Sequence, residues 1–130
     1  MRSPALIRRH RQSAIVSRMI LTCLSAMMGD FERESVSAAV PELAVGMVIR
    51  LNDEDNKPPI SISKITEKTG ISRKTVGRHV ERLADRGVVI RNGDGVTGND
   101  AYLETRMEAD YFRAMLRAII DAADQLRALE

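Results

Sequence analysis

Apolar and polar positions recur at helical spacing along most of the chain. The sharpest pattern lies between Pro59 and Val89, PISISKITEKTGISRKTVGRHVERLADRGVV. Two short helical patterns open there in the same way. Ile60 precedes Ser61, and Ile65 follows four residues after that serine; Ile71 precedes Ser72, and Val76 follows four residues after that one. An N-cap serine accepts a hydrogen bond from an otherwise unpaired backbone N–H of the first turn. The flanking apolar residues can close over it as a hydrophobic staple. With Gly70 between them, the two openings predict helices over roughly Ser61 to Thr69 and Ser72 to Arg86, a helix-turn-helix. Gly87 suits the left-handed residue that ends the second helix.

The flanks read less sharply. Met1 to Arg11 is basic and contains Pro4, which suggests a loose arm. From Gln12 to Met28, residues such as Ile15, Val16, Met19, Ile20, Cys23 and Met27 make a broad helical stripe, with Gly29 as its stop. Asp30 to Ala39 reads as a connection with room for one helical turn. Pro41 suits a first helical position, followed by a second amphipathic helix facing inward through Leu43, Ala44, Met47, Val48 and Leu51. Asn52 to Pro59 is a polar loop. Val88 to Arg91 is short and β-branched, a strand; Asn92 to Asp100 is a Gly/Asn/Asp loop, and Ala101 to Glu104 is the expected return strand. A hairpin at that place turns a helix-turn-helix into a winged helix. The last helix runs over Thr105 to Leu129, with Thr105 and Glu108 at the spacing of a capping box. In it Phe112, Met115, Ile119, Ala122, Leu126 and Leu129 fall at a and d positions.

The expected fold is therefore mainly α with a small β-hairpin (α+β), in a single domain over residues 1–130. Within it, 41–104 form the winged helix-turn-helix core, and 12–29 and 105–129 are flanking helices. Composition changes this little: with 3% aromatic residues and no Trp, the core has to be aliphatic. No apolar run approaches the ~20 residues needed to cross a bilayer. Ser17, Arg18, Thr22 and Ser25 interrupt the apolar stretch that a signal peptide would need. A single cysteine excludes an internal disulfide and fits a cytoplasmic location.

Charge changes the picture more. The formal net charge is only +2, but Lys57 to Arg91 carries nine basic and three acidic residues, with net acidic segments on either side. The first eighteen residues add five Arg. A polyanion is drawn to the helix-turn-helix and the N-terminus and repelled elsewhere. The second helix of the motif has an apolar face of Val76, Val80 and Leu83, and its other side offers Arg73, Lys74, Gly77, Arg78, Glu81 and Arg82. The major groove admits one α-helix, and Arg or Lys donates to guanine O6 and N7. The expected double-stranded DNA contacts are Ser61, Ser72, Arg73, Lys74, Thr75, Gly77, Arg78, Arg82 and, on the wing, Arg91. Gly77 costs ~1 kcal/mol of helix stability relative to Ala, which close approach to a partner would explain. The wing loop holds Asp94 and Asp100 and no base, so groove insertion by the wing is not expected. The alternative for all these charges is a solvated helix face.

This stretch resembles the winged helix-turn-helix of bacterial transcription regulators. The order of a leading helix, a second helix, the motif, a hairpin and a long terminal helix is similar to the MarR-type (multiple antibiotic resistance regulator) architecture; GntR-like, phage and plasmid regulators share the same core. The resemblance implies that the first and last helices form a homodimer interface and that the paired lobes bind pseudo-palindromic DNA. The residues expected at that interface are Ile15, Met19, Cys23, Phe112, Met115, Ile119 and Leu126. Packing of the last helix on the chain's own first helix is the alternative. Cys23 is either a small buried hydrophobe or a thiol sensor of the kind some MarR-like regulators carry. A small-molecule effector is a further partner this architecture admits, in a pocket between the first helix, the second helix and the motif.

No metal site is expected, because His10 and His79 are far apart and Cys23 is remote from both. No cofactor is implied and no catalytic residue is assigned: NGDGVTG lacks the Lys and following helix of a phosphate loop, and no nucleophile has an evident His partner. The sequence thus points to a DNA-binding transcriptional regulator. The alternative is a winged-helix protein-interaction module, or an accessory factor in replication or partition, without operator binding.

Overall fold

Five of the six helices among the described residues begin where a small polar side chain caps the first turn: Ser3, Ser35, Ser61, Ser72 and Asn99. A computed structural model describes residues 1–31, 35–106 and 109–130. In chain order these form α1 (Pro4–Phe31), α2 (Val36–Glu54), β1 (Ile60–Ser61), α3 (Ile62–Thr69), α4 (Arg73–Asp85), β2 (Val89–Asn92), β3 (Gly95–Gly98), α5 (Asp100–Thr105) and α6 (Asp110–Ala128). The fold is mostly helical with one small antiparallel sheet, the α+β class expected of a winged helix. The chain divides into two compact units, one made of α1 and α6 and the other of α2 to β3 with α5.

In the second unit the two serine caps form as expected. Ser61 Oγ accepts from Lys64 N at 3.1 Å, and Ser72 Oγ accepts from Thr75 N at 3.3 Å. The apolar residues around them, Ile60, Ile65 and Val76, are buried. Gly70 ends α3 with φ +74°, and Gly87 follows α4 with φ +78°; both lie in the left-handed region that glycine occupies without steric cost. The core is aliphatic, with Val45, Ile65, Val76, Val80 and Leu83 at 0% exposure.

The sheet runs in the order β1-β3-β2. Its hairpin is tighter than expected. The return strand is β3, inside the stretch read as loop, whereas Ala101 to Glu104 belong to helix α5. A two-residue turn, Gly93 and Asp94, connects the strands in register Asn92↔Gly95, and Gly93 takes φ +64° as primed hairpin turns require. Glycine at position 95 is also steric: a Cβ there would lie 2.5 Å from Pro59 Cβ and 2.8 Å from its carbonyl oxygen. This close approach lets Ile60 and Ser61 add a third strand, pairing Ile60↔Val96. Asn99 then caps α5 through Ala101 N and ties the hairpin back to the end of α4, its Nδ2 donating to Gly87 O at 2.8 Å.

The flanking helices depart from expectation in several ways. α1 starts at Pro4 rather than after a loose arm. Ser3 Oγ accepts from Leu6 N at 3.2 Å, so Ser3 acts as the cap and Pro4 as the first helical residue. That helix also runs past Gly29 to Phe31. α2 begins at Val36 behind an N-cap Ser35, so much of the expected connection is helix and Pro41 sits inside it. Pro41 has no N–H for the Ser37 carbonyl; Ser37 is exposed, where solvent limits that cost. Thr105 closes α5, its hydroxyl donating to Tyr102 O at 2.6 Å, and caps nothing. α6 starts at Asp110 behind Ala109 without a side-chain cap, and Glu108 of the expected capping box lies outside the described residues.

The inward face of α2 is also different. Ala39, Glu42, Leu43, Val45 and Ile49 are buried, whereas Met47 is 48% and Leu51 65% exposed. α2 is apolar on more than one side, so periodicity did not determine its phase. Deleting a buried side chain loses its transfer energy and leaves a cavity. Ile49→Ala should therefore lower unfolding free energy by about 2–5 kcal/mol in urea denaturation, and Met47→Ala by less than about 1 kcal/mol. Equal losses would contradict this phase.

Candidate nucleic-acid interface

α4 is positioned by what it buries. Val76, Val80 and Leu83, spaced four and three residues apart, are wholly enclosed. At 3.6 residues per turn that places Lys74, Arg78, Glu81 and Asp85 along the opposite, exposed side. The sign of charge changes along this row. Its first half is cationic and its second half acidic. Arg73, the first residue of the helix, is exposed beside the cationic half. The positive end of the helix dipole lies there too, so field and side chains favour an anion at the same end.

Arg73, Lys74, Arg78 and Arg91 form no side-chain hydrogen bond or ion pair among the described residues. Their charges are therefore available to a partner. Arg91 is exposed on β2, opposite Val96 in the register, and the hairpin turn beside it carries Asp94. Gly77 has nothing within 4 Å of where a Cβ would stand, so no contact inside the chain explains its lack of a side chain. Thr75 is half-buried beside the cap.

The two serines are tied to their helices. Ser72 Oγ accepts from Thr75 N and donates to Thr75 Oγ1 at 3.0 Å; Ser61 Oγ holds the first turn of α3. Both shape the surface, and Ser72 can meet a phosphate only by exchanging a bond it already makes. Arg82 is placed differently from the other cations. Its Nε lies 3.1 Å from Oε1 of Glu42 on α2, and His79 Nδ1 lies 3.3 Å from the same oxygen. Glu42 is fully buried, and the sequence reading did not single it out. Its partners lie 37 and 40 residues away in the chain. The only local signal was a carboxylate on a helix otherwise read for its apolar face.

In the other unit, α1 packs along α6 within one chain. Ile15 and Met19 share a cleft of about 280 Å³ with Ala114, Ala118 and Ala122. Of the residues expected to face a second chain, Ile15 and Cys23 are buried, Met19, Met115 and Leu126 half-buried, and Phe112 and Ile119 48% and 46% exposed. Cys23 Sγ sits 4.0 Å from Met19 Sδ, the setting of a packed hydrophobe. Among the described residues, no group of three or more His, Cys, Asp or Glu is arranged to hold a metal ion, and no helix is long and apolar enough to cross a membrane.

Comparison with known proteins agrees with this geometry. No curated protein and no solved structure matches the chain. Residues 55–90, which hold β1, α3 and α4 and reach into β2, match a family model described as winged helix-turn-helix DNA-binding. The likeness to DNA-binding domains thus falls on the segment that carries Arg73, Lys74 and Arg78, and ends one residue before Arg91.

Proposed function

We propose that the protein is a sequence-specific transcriptional regulator of bacterial type that acts in the cytoplasm as a homodimer on double-stranded DNA. The observation that carries this reading is the cationic first half of α4. Arg73, Lys74 and Arg78 stand uncommitted on a helix locked by its own cap and buried stripe, inside the segment that matches a DNA-binding domain. That half enters the major groove; Lys74 reaches base edges, Arg78 neutralises a phosphate, and Gly77 lets the backbone approach closely. Arg91 contacts phosphate from the hairpin, whose acidic turn stays out of the minor groove. No catalytic step belongs to this function.

The homodimer rests on the pair α1 and α6. The face that α1 and α6 turn to each other does not bury all of their two broad apolar stripes. Val16, Ile20 and Leu21 on α1 and Phe112, Leu116, Ile119 and Ile120 on α6 remain exposed. Exposed apolar surface of this extent marks an interface. A second copy offers the same face, and the arrangement would then follow the MarR-type helix order, with two half-sites about one helical turn apart. A small-molecule effector would have the cleft beside Ala114, Ala118 and Ala122, with Arg18 and Arg117 at its edge, as a place to act.

The second reading is a protein-interaction module that keeps the fold. It is favoured by the exposed apolar residues Val36, Val40, Met47 and Leu51 along α2. DNA binding separates the two. Affinity for a selected duplex should fall steeply with salt as counterions are released, and Arg78→Ala should weaken it about tenfold and flatten the slope of log affinity against log salt by about 0.9. Salt-independent binding, or none, would leave only the interaction module. The dimer has its own check: Ile119→Glu with Ile120→Glu should convert a dimer to monomer in sedimentation velocity at micromolar concentration. A wild-type monomer under those conditions would refute the dimer.

A further inference from the structure

Among the described residues, Glu42 is the only fully buried charged side chain, and both of its partners, His79 and Arg82, lie on α4. A carboxylate withdrawn from water is tolerated only when opposite charge and hydrogen bonds replace its hydration. Here that task falls to His79 and Arg82, three residues apart on one flank of the helix. Arg82 Nε reaches both carboxylate oxygens, at 3.1 and 3.3 Å, and His79 Nδ1 reaches Oε1 at 3.3 Å. The two attachments resist different motions. One contact alone would let α4 pivot about it; two contacts almost one turn apart hold its rotation about its own axis relative to α2. The apolar contacts of Val76, Val80 and Leu83 do not set that rotation alone, because dispersion contacts are non-directional and an aliphatic surface can slip.

The same bond changes what Arg82 can do. Its Nε is bonded to the Glu42 carboxylate while the side chain stays 40% exposed, and its neighbours on the outer side of α4 are Glu81 and Asp85, with Arg86 following them. A phosphate approaching this half of the helix would have to compete with a fixed carboxylate and meet two more. We infer that Glu42 is a positioning residue for the recognition helix: it withholds Arg82 from DNA, uses it with His79 to fix the rotation of α4, and so confines the DNA contact to Arg73, Lys74 and Arg78. This rests on the DNA-binding reading of α4, and it reassigns Arg82, which the sequence pattern alone places with the DNA contacts.

The salt slope distinguishes a withheld arginine from a phosphate-bound one, because it counts neutralised phosphates and is blind to packing. Binding of a selected duplex and of a random duplex should be measured by fluorescence anisotropy over a salt series for the wild type, Arg78→Ala, Arg82→Met and Glu42→Gln. Arg82→Met should keep the wild-type slope, whereas Arg78→Ala should lose about 0.9 of it. Glu42→Gln, which weakens the clamp and frees Arg82, should weaken binding to the selected duplex about tenfold and leave binding to the random duplex undiminished. If Arg82→Met does not fold, the double variant Glu42→Met with Arg82→Met removes the buried charge together with its partner and carries the same expectation for the slope. A slope lost with Arg82 as with Arg78, or equal loss on both duplexes for Glu42→Gln, overturns the inference while DNA binding stands. A wild type that binds neither duplex overturns the DNA-binding reading and this inference with it.

Discussion

The burial of Val76, Val80 and Leu83 is the constraint on which the cationic surface of α4 depends. These three side chains cannot be exposed without giving up on the order of 1.5–3 kcal/mol each, so they determine which side of α4 is buried, and the Glu42 contacts with His79 and Arg82 fix the rotation that remains. Lys74 and Arg78 face solvent because Val76 and Val80 do not. Two local devices keep the helix intact while it presents them: the Ser72 cap at its start and the left-handed Gly87 after its end. The hairpin is joined to the same helix end through Asn99 and Gly87, which places Arg91 on a strand tied to α4 rather than on a free loop.

Electrostatics then divides the helix. Its first half joins uncommitted Arg73, Lys74 and Arg78 to the positive end of the helix dipole. Its second half carries Glu81 and Asp85 outward and pairs Arg82 with a buried carboxylate. A polyanion therefore meets uncommitted cations over about two turns and, beyond them, outward carboxylates interleaved with Arg82 and Arg86. This gradient along one helix gives orientation as well as affinity, since a nucleic acid lying along the acidic half would lose contacts and meet like charge.

Legibility in the sequence followed the distance over which each feature acts. Ser61, Ser72, Gly70 and Gly87 act on partners within a few residues, and the two helices of the motif lie close to where these residues suggest. Ser3 and Pro4 carried an equally local signal, a cap followed by proline, but a cluster of Arg around them read as an arm. Features that depend on distant partners were not legible. Gly95 looked like loop because its reason is Pro59, and Ile60 and Ser61 read only as the opening of α3 because the partner that makes them a strand is β3. Glu42 looked like an ordinary helix charge because His79 and Arg82 are more than thirty residues away. α2 showed the limit of periodicity itself: with apolar residues on more than one side, only packing determines which side is core. The cationic face of α4 could be read in advance; that Arg82 stands apart from it could not.

The most direct test of the central claim is selection of bound fragments from a random or genomic pool of double-stranded DNA by the purified protein, carried out at two salt concentrations. A homodimer that reads DNA through the first half of α4 should enrich a pseudo-palindromic sequence at both, with two short half-sites about one helical turn apart and weaker non-specific recovery at the higher salt. Recovery of fragments without any shared sequence, or no recovery of DNA at either salt, would contradict it.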